Sequence, residues 1–115
     1  MQKSTPKISL VIPVFNEQEV IPELLKRLEQ VALSNAEIFQ LSIVFVDDGS
    51  TDKSVDKIKQ IPTDLEFKLI QFSRNFGHQA AVMAGISNAD GDAVVIMDAD
   101  LQDPPEVIAE FVIKW

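Results

Sequence analysis

The stretch Asp98-Ala99-Asp100-Leu101-Gln102 places two carboxylates and an amide oxygen directly after an apolar run, Ala93-Val94-Val95-Ile96-Met97. Residues two apart on an extended chain point to the same side, so Asp98, Asp100 and Gln102 can converge at the carboxyl end of a buried strand. Oxygen-only ligands suit a hard divalent cation, Mg²⁺ or Mn²⁺, rather than zinc. Such an ion keeps positions open that substrate phosphates fill. The structural alternative is that Asp98 and Asp100 cap the turn before the last helix. Two carboxylates at this spacing, with Asp103 close behind, repel each other unless something offsets the charge. That repulsion favours the metal.

Three further polar clusters follow apolar runs. Pro13-Val14-Phe15-Asn16-Glu17 either starts a helix or wraps a nucleoside through backbone groups and the Asn16 or Glu17 side chain. It has no Gly-x-Gly-x-x-Gly, so a dinucleotide pyrophosphate lacks its close-approach loop. Asp47-Asp48-Gly49 is a turn by composition, or a carboxylate pair that accepts base or ribose protons. Arg74-Asn75-Phe76-Gly77-His78 offers a guanidinium to a phosphate through Arg74, and Gly77 for a tight turn. The single His, His78, has no nucleophile to pair with and reads as a structural hydrogen-bonding residue.

The elements that must position these clusters alternate. Strands are expected at residues 8–12, 41–46, 67–72 and 93–97. Helices are expected at 19–32, with Pro22 in the first turn; from a cap at Ser50 or Thr51 to Pro62; at 79–89; and after a cap at Asp103. Residues 79–89 are dense in small side chains, which suits close packing on a sheet. Alternation of this kind predicts an α/β fold with a parallel sheet and helices on both faces. Ligands of such sheets bind at the carboxyl ends of the strands. All four clusters sit there, and with the first strand central they face one crevice.

Composition narrows the classes. A chain of 115 residues makes one domain at most. A net charge of −8 argues against a nucleic-acid partner. The absence of cysteine excludes disulfides and thiolate metal sites. No apolar run approaches the roughly 20 residues of a membrane span.

Together, Pro13 to Glu17, Val46-Asp47-Asp48-Gly49-Ser50-Thr51-Asp52, Arg74 to Gly77 and Met97 to Glu106 resemble family 2 glycosyltransferases, in the family's order and spacing. The likeness covers essentially the whole chain. It is greatest to the branch that moves a sugar onto a polyprenyl phosphate, the dolichol-phosphate mannosyltransferase and bactoprenol glucosyltransferase type. The resemblance implies a Rossmann-like GT-A fold, a mostly parallel sheet of order 3-2-1-4, and inversion at the anomeric carbon. It implies that Pro13, Val14, Asn16 and Glu17 line the nucleotide site and that Asp47 and Asp48 hold base and ribose. Asp98 would lie near ribose and metal. Asp100 and Gln102 would ligate a Mg²⁺ or Mn²⁺ that stabilises the leaving group.

The implied partners are a UDP- or GDP-linked sugar and a polyprenyl phosphate; a homo-oligomer is allowed and not required. The resemblance further implies an N-terminal piece of a longer enzyme, inactive alone. The longer enzyme would sit on the cytoplasmic side of a membrane and touch it only through its missing C-terminal part, leaving this piece soluble. Two other classes compete. A receiver-type phospho-switch shares the length and the Mg²⁺-binding acids, but its acidic pair follows the first strand. A non-catalytic nucleotide-binding module is the other.

Overall fold

Alternating apolar and polar runs become strands and helices in the computed structural model, which describes residues 5–60, 63–100 and 105–108. The strands are β1 (Lys7–Val14), β2 (Gln40–Asp47), β3 (Glu66–Gln71) and β4 (Ala93–Ile96). They pair in parallel, in the order β3-β2-β1-β4, as the sequence led us to expect. Val14, Asp47 and Gln71 lie in one row across β1, β2 and β3. The loops that follow these strands therefore leave the sheet together.

Side-chain alternation divides the core. Leu10, Ile12, Ile43 and Phe45 pack on one face with Leu24, Leu25 and Leu28 of helix α1 (Ile21–Ser34). Val11, Val44 and Val46 face Ala81 of helix α3 (His78–Ser87). α3 lies very close to the sheet because its small residues permit it. A Cβ on Gly85 would collide with Cγ1 of Val11. The small-residue helix is thus the condition for close docking on β1.

The starts of two helices and the burial of one strand differ from expectation for local reasons. α1 begins at Ile21 rather than residue 19, because the Glu17 carbonyl first closes a turn with the N–H groups of Val20 and Ile21. Helix α2 (Ser54–Gln60) begins past Ser50 and Thr51, the expected caps. Asp52 takes over: its Oδ1 accepts the N–H and the hydroxyl of Ser54. β4 is less buried than its apolar sequence suggests, with Val94 41% and Ile96 46% exposed. Ile96 pairs with Val11 and so shares the α3 face, but α3 packs on β1 and β2. The expected stops and starts at Pro62, Asp103 and Pro104 lie outside the described residues.

Candidate functional site

The carboxyl ends of β1, β2 and β4 and the start of α3 enclose an open cavity of about 560 Å³. Pro13, Val14, Phe15 and Glu17 line it from the first loop, and Asp48 from the second. Asn75, Gly77 and His78 come from the loop before α3, and Asp98, Ala99 and Asp100 follow β4. Of the residues proposed from sequence, Pro13, Val14, Glu17, Asp48, Asp98 and Asp100 are brought together here. Asn16, Asp47 and Arg74 are not among the lining residues, and Gln102 lies outside the described residues.

Each wall has a physical reason. Asp48 is 4% exposed. Its Oδ1 accepts the Phe76 N–H at 2.7 Å, and its Oδ2 accepts the Gly77 N–H at 3.1 Å and Asn75 Nδ2 at 3.3 Å. One carboxylate therefore fixes the loop ahead of α3. Gly49 beside it has φ 77° and leaves no room for a Cβ, which would meet the Asn75 nitrogen at 2.5 Å. Only glycine combines that backbone with that approach.

Asp47 is directed away, into its own turn, where it accepts the N–H and hydroxyl of Ser50. Asn16, at φ 53°, accepts the N–H of Thr51 at 2.8 Å and of Asp52 at 3.3 Å. Asparagine tolerates this left-handed backbone better than most side chains. Arg74 stacks its guanidinium 4.2 Å from the centre of the Phe76 ring.

The charge in the cavity is acidic. Burial pushes the Glu17 carboxyl above its usual 4.5, and the charges of Asp100, Asp52 and Asp98 push it the same way. Asp98 is more open, 57% exposed, with Oδ1 3.9 Å from Nε2 of His78. Among the described residues no three acidic or histidine side chains close around an ion by themselves. The donor chemistry of Asp98 and Asp100 still fits Mg²⁺ or Mn²⁺. A hard cation on a phosphate substrate is commonly held by one or two carboxylates, with phosphate and water completing the shell.

Residues 9–115 match the model of a family described as glycosyl transferase family 2. The chain belongs to this family. It is 48% identical over 108 residues to a protein named uncharacterized glycosyltransferase YkcC, of Bacillus subtilis (strain 168), covering 93% of this chain and 33% of that one. It is 41% identical over 110 residues to undecaprenyl-phosphate 4-deoxy-4-formamido-L-arabinose transferase of Salmonella choleraesuis (strain SC-B67), covering 94% of this chain and 33% of that one. The chain thus spans about a third of the length of the curated relatives it matches.

Among solved structures it resembles the mannosyltransferase PcManGT from Pyrobaculum calidifontis in complex with GDP-Man and Mn²⁺. The TM-score is 0.80 at 26% identity, over 97% of this chain and 32% of that one. S. aureus TarS 1-349 in complex with UDP-GlcNAc superposes with a TM-score of 0.71 at 28% identity, over 82% of this chain and 26% of that one. The fold is that of the GT-A glycosyltransferases.

Within this family 2 domain, sequence reasoning placed these stretches at the crevice but did not single out Phe15, Asn75, Gly77, Ala99 and His78 as residues of its lining. His78 was expected to be a structural hydrogen-bonding residue; it is instead exposed on the cavity wall opposite Asp98. A usable signal was present: His78 directly follows Gly77 at the start of α3, and helix starts in such sheets face the crevice.

Proposed function

We propose that this chain supplies the donor and metal site of an inverting glycosyltransferase, which moves a sugar from a UDP- or GDP-linked donor to a polyprenyl phosphate. One observation carries the reading: Glu17, Asp48, Asp98 and Asp100, from three different strand ends, line one cavity. The names of relatives support the substrate classes. One is an undecaprenyl-phosphate sugar transferase, and two structural neighbours hold GDP-Man with Mn²⁺ or UDP-GlcNAc.

Asp98, Asp100 and Gln102 would hold the Mg²⁺ or Mn²⁺, which supplies charge neutralisation on the departing diphosphate. Asp48 and Glu17 would orient the nucleoside from the opposite wall, with Pro13 and Val14 as its apolar floor. Asn16 and Asp47 would serve the site by holding its loops, and Arg74 by attracting phosphate from the rim. In the transfer, an acceptor oxygen bonds to the anomeric carbon from the face opposite the diphosphate. The carbon–oxygen bond to the diphosphate breaks, and its electron pair leaves with the nucleotide. A phosphate acceptor arrives ionised and needs no general base, whereas a hydroxyl acceptor would. We place acceptor binding in the part of the relatives' length that lies outside the stretch matched here.

Calorimetry of the chain with UDP and with GDP, with and without Mn²⁺, tests the donor reading. The expected result is binding of one nucleotide that strengthens with Mn²⁺. Absence of nucleotide binding with either Mn²⁺ or Mg²⁺ would overturn it. Heat from acetyl phosphate alone would assign the site to a phospho-switch.

A further inference from the structure

Three consecutive backbone N–H groups of the first loop are each taken by a side chain of the segment 50–54, which leads into and begins α2. Asn16 N–H goes to Ser50 Oγ at 2.9 Å, Glu17 N–H to Ser54 Oγ at 2.7 Å and Gln18 N–H to Asp52 Oδ2 at 3.2 Å. The exchange is reciprocal. Asn16 Oδ1 accepts from Thr51 and Asp52, and Gln18 Oε1 accepts the Lys53 N–H at 3.0 Å. Of all these residues, Glu17 alone lines the cavity.

The middle link is the most constrained. Ser54 is fully buried. Its hydroxyl proton is committed to Asp52 Oδ1 at 2.6 Å, which leaves its lone pairs for the Glu17 N–H. We infer that Ser54, oriented by Asp52, is a positioning residue of the donor site that acts through Glu17. This rests on the donor-site reading above.

The physical need is visible at Glu17 itself. Its carboxyl is partly desolvated, and Asp100, Asp52 and Asp98 bear on it with like charge. Left to itself, the first loop would relax toward water and away from the other carboxylates. Tethering three successive N–H groups to a buried hydroxyl, a second hydroxyl and a carboxylate opposes that relaxation. The side chain then stays at the cavity.

The test is a double-mutant cycle on nucleotide affinity, measured with UDP or GDP and Mn²⁺ on the chain, well below its unfolding midpoint. Ser54→Ala is expected to weaken binding about threefold to tenfold, as coupled neighbours do. Placed on Glu17→Ala, it is expected to cost nothing more. A residue that only supports the fold would cost the same factor in both backgrounds, and that result overturns the inference, as does no loss in the single variant.

Asp52→Asn is the second variant if Ser54→Ala does not fold. It keeps an oxygen for Ser54 but turns an amide donor toward the Gln18 N–H, and the same dependence on Glu17 is expected. Failure of the unaltered chain to bind nucleotide would instead refute the donor reading. Amide exchange judges the tether separately. The Glu17 amide should exchange faster in Ser54→Ala, and unchanged exchange overturns the tether whatever binds.

Discussion

Asp48 accepts the backbone N–H of Phe76 at 2.7 Å, although the two residues are 28 positions apart. The carboxylate is both a wall of the cavity and the pin that holds the opposite wall. Its companion Asp47 is equally buried yet accepts the N–H and hydroxyl of Ser50 and does not line the cavity. Adjacent acids at one strand end therefore have separate duties.

The pin predicts a stability cost. Asp48→Ala removes the carboxylate that the N–H groups of Phe76 and Gly77 share, in a loop where Phe76 is exposed and Gly77 partly buried. A loss of roughly 1.5–3 kcal/mol is expected, the range for hydrogen bonds to a charged group. Urea unfolding measures it. A loss inside the scatter of the measurement would mean the loop is held by something other than Asp48.

Close approach of α3 predicts an inversion of helix propensity. Gly85→Ala should gain about 1 kcal/mol as a helix residue, but the new methyl collides with Val11. Overpacking of this kind costs roughly 1–3 kcal/mol, so net destabilisation is expected. Val11→Ala opens the space, and the double variant should then recover part of the loss. Thermal unfolding of the three variants decides whether Val11 is the obstacle.

The parallel sheet and the gathering of polar clusters at strand ends were legible because both follow from alternation, while the strand order came from the family resemblance. Apolar runs of strand length alternating with helical ones leave few topologies, and ligand loops in such sheets gather on one edge. What was not legible was the direction of individual side chains within the loops. Asn16, Asp47 and Arg74 have the types a nucleotide site uses, and each is occupied locally. Asn16 and Asp47 satisfy backbone donors in turns, and Arg74 covers Phe76. Short polar side chains compete for nearby backbone groups, and sequence spacing does not reveal which partner wins. The same blindness hid the cap at Asp52, since Ser50 and Thr51 are equally good caps by type. The exposure of Val94 and Ile96 was hidden for a different reason: it depends on how far α3 reaches across the sheet.

Glu17 predicts a pH-dependent conflict between stability and binding. Its carboxyl is raised above 4.5 by burial and by Asp100, Asp52 and Asp98. The folded chain therefore binds this proton more tightly than the unfolded one. Stability from Glu17 is fully present below 4.5 and is lost as pH rises through the raised folded value. Glu17→Gln removes the charge without removing the side chain. It should be more stable than the unaltered chain at about pH 7, with the difference vanishing at about pH 3. Paired unfolding curves at the two pH values check the sign. Nucleotide binding by the same variant should be weaker, because stabilising a strained site commonly costs function.

Asp52 has the opposite sign. Burial alone would raise its carboxyl, but hydrogen bonds from Ser54, Gln18 and its own N–H outweigh that and hold it below 3.8. Its contribution is present above 3.8 and is lost as pH falls through the lower folded value. Asp52→Asn should flatten the acid limb of the stability curve below about pH 4 and leave its shape at neutral pH unchanged. An acid limb as steep as in the unaltered chain would place the responsible carboxylate elsewhere.

Asp100 separates a ligand's role from a structural one. It is exposed on the cavity wall, two residues beyond Asp98 and on the same stretch after β4. The test variant is Asp100→Asn. If the proposed metal site is right, the variant loses the increment that Mn²⁺ adds to nucleotide binding while retaining metal-free binding. The increment is expected to fall by about tenfold or more, the scale on which metal-supporting residues act. Titrations with Mn²⁺ and with EDTA, run on the variant and the unaltered chain, measure the difference. Equal Mn²⁺ dependence in both would remove Asp100 from the metal site. Loss of binding in EDTA as well would make it a direct contact to the nucleotide.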